Sequence, residues 1–110
     1  MPATEPLAYT PPTGGACVVT VAFTVKPGFM DAFMGAVAQQ AETSLAREPA
    51  CRVFDVAIAD DGAPTVFLYE VYDTEADFQA HLGTAHFVAF SNLVEDWTLS
   101  KSVQTWTQVP

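Results

Sequence analysis

The sequence predicts an α+β fold: a ferredoxin-like βαββαβ unit with a four-stranded antiparallel sheet and both helices on one face. Two observations predict it. Apolar, β-branched runs and helical patterns follow one another in the order β-α-β-β-α-β, and a short turn joins the two middle strands. Right-handed crossovers then put the first and third strands in the centre of the sheet and the second and fourth at its edges.

The first half of the chain supplies a strand and a long helix. Residues 17–26 read CVVTVAFTVK and have no breaker, which is typical of a strand. Pro-Gly at 27–28 ends this strand and opens a helix that runs to about Glu48, where Pro49 limits it. Apolar residues recur every four positions and predict the buried stripe, with Gln40 off it. The stripe is Phe29, Phe33, Val37, Ala41 and Leu45.

The second half begins with a hairpin. Residues 51–59 and 65–72 read as strands, and the turn DDGAP at 60–64 joins them. Thr74 and Asp77 then resemble a capping box at the start of the second helix. Gly83 interrupts that helix, and a second helical segment follows. Residues 97–109 alternate in polarity and form the last strand.

Composition indicates how many domains the chain has and excludes some classes of binding partner. The proline- and glycine-rich residues 1–15 predict a flexible amino-terminal arm, and residues 16–110 a single domain. With 13 acidic residues against 4 basic ones, the net charge of −9 excludes nucleic acid and anionic membrane surfaces as partners. No long apolar span or signal-peptide pattern appears, so we expect a cytoplasmic protein.

The strand patterns predict a homodimer. Val19, Val21 and Phe23 lie on one face of the first strand, yet Val18 and Ala22 make the other face apolar too. Two helices cover only one face of a sheet, and charged residues make up only 15% of the chain. A second copy, packed sheet to sheet, is the simplest cover for the other face.

The two cysteines are expected to be free thiols. Cys17 and Cys51 belong to the first and second strands, which the third strand separates by roughly 9–10 Å. A disulfide needs Cα atoms within about 7 Å of each other. Free thiols are typical of a reducing compartment.

Both histidines lie near the helix break. His81 and His86 would point about 140° apart on an unbroken helix, but Gly83 can change this. A buried, neutral histidine suits a general base. We favour His86 as the residue that turns into a cavity, while a merely structural role for both histidines stays open. The predicted cavity walls are Phe29, Phe33, Phe87 and Phe90.

Other polar residues in the strands are candidates of lower rank. Tyr69 and Tyr72 can donate hydrogen bonds, but strand parity lets only one face the helices. Asp55 lies inside an apolar strand, either in the pocket or paired with Arg52, and Glu70 shares the face of Tyr72. No metal-binding spacing, phosphate-binding loop or dinucleotide fingerprint appears, so we expect neither metal nor other cofactor.

Three segments resemble the antibiotic biosynthesis monooxygenase family. They are VKPG, REPACRVFDV and FLYEVYDTEADFQAHLGTAHFVAF, and the similarity covers about residues 17–107. The resemblance implies a dimeric α+β barrel. In some members it implies O₂-dependent oxygenation of polyphenols or quinols without flavin, metal or haem. Other members degrade haem or isomerise a phosphorylated sugar. The first strand has no Asn and the third no Trp, which argues against haem degradation. Four basic residues argue against a phosphorylated substrate.

The sequence therefore predicts a cofactor-independent monooxygenase that acts on a small quinol-like or polyphenol-like aromatic compound. The catalytic candidates are His86, His81, Tyr69 and Tyr72, and the pocket candidates are Phe29, Phe33, Asp55, Phe87 and Phe90. Two alternatives stay open: an isomerase of a small carbonyl metabolite that uses the same histidine base, and a non-catalytic dimer that binds a small apolar ligand.

Overall fold

The computed structural model describes residues 14–109, and the predicted arm lies outside them except for its last two residues. The strands pair antiparallel in the order β2-β3-β1-β4, which confirms the predicted α+β topology. The elements in chain order are β1 (Cys17–Val25), α1 (Met30–Arg47), β2 (Cys51–Ile58), β3 (Thr65–Tyr72), α2 (Glu75–Leu82), α3 (Ala85–Glu95) and β4 (Thr98–Thr107).

Helix α1 begins and ends where the chain chemistry requires. Gly28 has a φ of 85°, a left-handed backbone conformation that glycine adopts without a steric cost. It turns the chain out of β1 into the helix. At the other end Pro49 disfavours helical geometry for the residue before it. Glu48 accordingly adopts extended backbone angles, φ −110° and ψ 99°. Its side chain therefore does not follow the spacing of the side chains on α1.

The buried face of α1 differs from the predicted stripe. It consists of Phe33, Val37, Gln40, Ala41 and Ser44. Leu45 is 45% exposed and Phe29 is 39% exposed, so both predicted ends of the stripe lie off the core. The reason is the helical period of 3.6, since a strict four-residue series drifts by roughly 40° at each step. The drift brings Gln40 inside, against the prediction.

The predicted break at Gly83 is present and separates two helices. The Gly83 N–H bonds back to the carbonyl of Ala80, and Thr84 caps α3 by accepting a hydrogen bond from the Phe87 N–H at 3.2 Å. The Thr84 hydroxyl also donates to the His81 carbonyl at 2.8 Å. The break thus fixes the last turn of α2 against the first turn of α3, which places both histidines beside one junction.

The core lies between the helices and one face of the sheet. Val19, Val21 and Phe23 of β1 point into it, and the Phe23 ring packs edge-on to that of Phe33 at a centroid distance of 4.9 Å. None of the helices within residues 14–109 covers the opposite face of the sheet, which we call the open face. Phe67, Tyr69 and Trp106 on the open face are 40%, 39% and 49% exposed.

Both cysteines are free, as predicted, and both are buried. Burial raises the pKa of the Cys51 thiol to about 11, with the nearby carboxylates of Glu48 and Glu70 adding to the rise. The pKa of Cys17 is also raised by burial. Both thiols are therefore protonated at neutral pH and poor nucleophiles. None of the helices between residues 14 and 109 is long and apolar enough to cross a membrane.

Candidate active site under the helices

A small cavity opens between the helix-covered face of the sheet and helices α2 and α3. Its open volume is about 40 Å³, room for roughly three water molecules. Its walls are mostly apolar and aromatic, but four polar side chains also line it: Gln40, Glu70, His81 and Lys101. A larger open groove of about 600 Å³ elsewhere, next to Thr74 and Trp106, contains none of these four.

His81 forms one wall of the cavity and is held by Glu48. The imidazole Nδ1 lies 3.0 Å from Oε1 and 2.9 Å from Oε2 of the Glu48 carboxylate. The residue is 2% exposed, and burial lowers its pKa below the ordinary value of 6.5 although Glu48 acts in the opposite direction. His81 is therefore neutral at pH 7. With Nδ1–H donating to Glu48, the free lone pair is on Nε2, which no residue within 14–109 hydrogen-bonds.

Aromatic rings fix the orientation of the His81 imidazole. The Phe78 ring stacks on it at 6.3 Å, and the rings of Tyr72 and Phe87 lie 5.2 and 5.1 Å away between centroids. An imidazole that is packed on several sides and hydrogen-bonded through one nitrogen has little freedom to turn. This is the arrangement of a base oriented by a carboxylate.

His86 reaches the same carboxylate but lies outside the cavity. Its Nε2 is 2.5 Å from Glu48 Oε2, and its side chain lines a shallow groove of about 230 Å³ beside Gln40 and Leu93. The preference for His86 as the cavity residue therefore does not agree with the geometry, since His81 occupies that position. The break at Gly83 lets the two imidazoles converge on Glu48 instead of pointing apart.

Glu48, His81 and His86 are also residue types that bind transition metals, and their donor atoms lie within 4.8 Å of one another. Their nitrogen-to-oxygen contacts of 2.5–3.0 Å are hydrogen bonds. Ligand atoms around a tetrahedral zinc ion lie roughly 3.3 Å apart, given the usual bond lengths. We interpret this cluster, the Glu48 cluster, as a proton-sharing network.

Chelation should therefore leave the folded protein unchanged. After dialysis against EDTA we expect the same melting temperature, because the side chains of the Glu48 cluster hydrogen-bond to one another directly. Calorimetric melting checks this, with undialysed protein as the control. A lower melting temperature that added Zn²⁺ or Fe²⁺ restores would show that the cluster is a metal site.

Glu70 is a second buried carboxyl group in the same cavity. It is 3% exposed and accepts a hydrogen bond of 2.6 Å from the Tyr72 hydroxyl. Burial raises its pKa to about 7, the Tyr72 hydrogen bond and Lys101 lower it, and Glu48 raises it. The pKa of Tyr72 is raised far above its ordinary value, first by burial and then by Glu70. Tyr72 is thus a hydrogen-bond donor to Glu70 rather than a group that exchanges its proton.

Two further polar groups, Gln40 and Lys101, line the cavity and have no hydrogen-bond or ion-pair partner for their side-chain nitrogens among residues 14–109. The buried Nε2 of Gln40 makes no hydrogen bond within the described residues. A buried donor without a partner costs about 1–3 kcal/mol, so an acceptor on a bound molecule would relieve it. Lys101 lies at the mouth, with its ammonium 5.7 Å from the Phe23 ring centroid and 5.6 Å from that of Phe87.

The remaining predicted residues lie in several places. Phe87 and Phe90 line the cavity, whereas Phe33 is fully buried in the core beside them. Phe29 stacks on Trp97 at 6.2 Å and does not line the cavity. Tyr72 supports Glu70 from the helix-covered face of the sheet.

Tyr69 and Asp55 are paired with each other in the β2–β3 register and lie on the open face. Strand alternation explains this, because Phe54 takes the inward position next to Asp55. Arg52 does not pair with Asp55 either. It makes a bidentate ion pair with Asp73, at 2.7 and 3.0 Å, from the irregular start of β2.

Sequence reasoning missed Glu48 and Gln40 and gave Glu70 only a passing role. Glu48 had one signal, its place directly before Pro49, where a helix ends and a side chain can turn inward. Glu70 had another, its parity with the inward residues Leu68 and Tyr72. Gln40 lies seven residues after Phe33, which the helical period of 3.6 places on the same face, so a count at that period would have found it.

The fold and site define a ferredoxin-like α+β protein with buried acid–base groups around a small, mostly aromatic cavity. The chain belongs to the antibiotic biosynthesis monooxygenase family, whose profile, described as "Antibiotic biosynthesis monooxygenase", matches residues 16–93. No functionally curated protein matches the chain.

Solved structures agree with this membership. The chain is 30% identical to a protein from Nitrosomonas europaea named "Putative antibiotic biosynthesis monooxygenase", with a TM-score of 0.83 over 94% of this chain and 96% of that one. A protein of the same name from Caulobacter crescentus is 19% identical, with a TM-score of 0.84 over 88% and 92% of the two chains. The second likeness shows the shared fold alone.

Proposed function

We propose that this protein is a monooxygenase that uses O₂ to oxidise a small phenolic or quinol-like aromatic compound without a cofactor. The observation that carries the proposal is the Glu48–His81 pair, a neutral imidazole oriented by a carboxylate at the wall of an aromatic cavity. Membership of a family named for monooxygenases supports the reaction class.

The proposed chemistry begins with proton removal. His81 Nε2 takes the proton of the substrate hydroxyl, and Glu48 stabilises the imidazolium that forms. The phenolate is electron-rich enough to reduce O₂. The Gln40 amide and the Lys101 ammonium are the donors in the cavity that can stabilise its negative oxygen. The aromatic walls limit the access of water to the reactive intermediates.

The size of the cavity restricts the substrate. An open volume of about 40 Å³ is smaller than an aromatic ring needs, so the mouth must widen when the substrate enters. Phe87 is half-buried and Lys101 is exposed, so these side chains can move without disturbing the core. We therefore expect compounds with one ring to be better substrates than fused polycyclic ones.

A panel of phenols and quinols, assayed for O₂ uptake and product mass, tests the proposal. The expected result is a product that has gained one oxygen atom and lost two hydrogens, with one O₂ consumed for each product formed. Turnover that continues without O₂ would instead indicate an isomerase. Saturable binding with no turnover would indicate a non-catalytic ligand-binding protein.

We also propose that two copies pack through the open face of the sheet. This face carries Phe67, Tyr69 and Trp106, which are exposed side by side with Thr20 and Ala22 of β1. Large aromatic side chains on an uncovered sheet face favour association, and a self-complementary face gives a two-fold dimer.

The free cysteines favour a cytoplasmic location, because free thiols are typical of a reducing compartment.

Placing a charge on the open face should dissociate the dimer. For Phe67→Lys we expect the dissociation constant to rise roughly 100-fold or more, because each copy would bury an unpaired ammonium. Light scattering at micromolar concentration measures this. Val88→Lys is the matched control, since Val88 is 47% exposed on α3, and that variant should remain a dimer. A monomeric wild type, or a Phe67→Lys variant that dimerises equally well, would contradict the proposed interface.

A further inference from the structure

We infer that Glu70 is a second catalytic acid–base group, which passes a proton to the oxygen adduct that forms after His81 has acted. This inference rests on the proposed monooxygenase function. Its basis is the position of Glu70 on the wall of the same cavity as His81. Only one of its carboxyl oxygens has a described partner, the Tyr72 hydroxyl on Oε1.

The surroundings of Glu70 give no structural reason for an acid. Its cross-strand neighbours are Val19 on β1 and Phe54 on β2, both apolar. Among residues 14–109 no cation lies within ion-pair distance of it. A buried carboxyl without an ion pair is unfavourable, and a glutamine would accept the Tyr72 hydrogen bond equally well. Glutamine cannot lose and regain a proton, whereas the carboxyl group of Glu70 can.

The reaction requires such a group. After His81 takes the hydroxyl proton, the phenolate transfers electrons to O₂, and a bond forms between O₂ and a ring carbon that carries hydrogen. The distal oxygen of this peroxide anion takes the proton of the Glu70 carboxyl group. The Glu70 carboxylate then removes the hydrogen of the ring carbon as a proton. That C–H electron pair forms the new C=O bond while the O–O bond breaks.

The remaining steps restore both groups. The hydroxide that leaves takes the proton held by His81 and becomes water. His81 ends neutral and Glu70 ends protonated, as both began. In total a phenol and one O₂ give a quinone and one water, so the ring is oxidised and both oxygen atoms are reduced. No reductant or cofactor is needed.

The charged groups around Glu70 set the pH range of this chemistry. Tyr72 faces it from its own strand, Glu48 from the end of α1 and Lys101 from β4. His81 of α2 lines the same cavity. The pKa of Glu70 is about 7, whereas that of His81 is lowered below 6.5. A protonated acid and a neutral base therefore coexist near neutral pH, and activity should fall on the alkaline side as Glu70 ionises.

Glu70→Gln tests the inference. With a phenol that the wild type oxidises, we expect kcat/KM to fall roughly 10²–10⁴-fold and the alkaline limb near pH 7 to disappear. Binding of the same phenol under argon should change less than about threefold, since the side-chain shape is kept. Superoxide release per O₂ consumed should rise, because the peroxide anion is no longer protonated and its C–O bond can split into superoxide and a phenoxyl radical.

Tyr72→Phe provides the comparison. It removes the hydrogen bond that lowers the pKa of Glu70, so the alkaline limb of the pH profile should move to higher pH, and this movement is the readout. If Glu70→Gln keeps the wild-type rate and pH profile while His81→Gln is inactive, Glu70 is structural and the inference is overturned alone. If the wild type oxidises no phenol at all, the proposed function fails and the inference fails with it.

Discussion

Replacing His81 by glutamine should lower kcat/KM for a phenolic substrate roughly 10²–10⁴-fold, the usual contribution of a general base. Glutamine is able to donate a hydrogen bond to Glu48, so the fold should survive, but its amide cannot accept a proton. We propose His81 as the base because its Nδ1 is hydrogen-bonded to the carboxylate and its ring is on the cavity wall. O₂ uptake and quinone formation, measured on matched protein concentrations, check the loss.

His86→Gln is the control for this prediction. His86 also hydrogen-bonds to Glu48, but it does not line the cavity. Its replacement should change kcat/KM by less than about tenfold, since the orientation of His81 still depends on two carboxylate contacts. The opposite ranking, with His86→Gln inactive and His81→Gln active, would exchange the roles of the two histidines. Full activity in both variants would make both structural.

Glu70→Gln should also make the folded state more stable at alkaline pH, by about 3 kcal/mol. The pKa of Glu70 is raised from 4.5 to about 7 on folding, so the folded state favours the protonated carboxyl. The contribution of this protonated carboxyl group to the free energy of unfolding is fully present below pH 4.5 and is lost as the pH rises through 7. Glutamine has no charge at any pH and avoids this loss. The gain should be near zero at pH 4.5 and largest above pH 8.

Urea unfolding at pH 4.5 and above pH 8, at a fixed protein concentration, measures the difference in unfolding free energy between Glu70→Gln and the wild type. Glu42→Gln is a suitable control because Glu42 is an exposed carboxylate on α1, and its replacement should matter by less than about 0.5 kcal/mol. A Glu70→Gln gain that is the same at both pH values would contradict the raised pKa. Together with the expected loss of activity, a gain confined to alkaline pH would show a residue kept for chemistry at the expense of stability.

The fold was predictable because it depends on patterns that many residues share. The apolar, β-branched run of β1 and the apolar helical runs each involve enough residues to predict the correct element, and the turn at 60–64 marks the hairpin. Gly83 was predictable as a break because a glycine inside a helical pattern interrupts it, and the structure adds that Thr84 caps the next helix.

The site was harder to predict because it depends on single side chains. The exact phase of α1 decides that Gln40 is buried and Leu45 is not, and a four-residue count misjudges that phase. The convergence of His81 and His86 on Glu48 joins residues far apart in sequence through a tertiary contact. The place of Glu48 before Pro49 indicates that its side chain can turn inward, but no local pattern indicates that it meets these two histidines.

The most direct test of the central claim, that His81 deprotonates a phenol bound in this cavity, is a spectrum recorded without O₂. The best substrate of the panel is mixed with protein under argon, at a pH at least one unit below the pKa of its hydroxyl. We predict that the absorption of the bound phenolate appears with the wild type and with His86→Gln but not with His81→Gln. A neutral phenol bound to the wild type, or an equal phenolate signal with His81→Gln, would contradict the account.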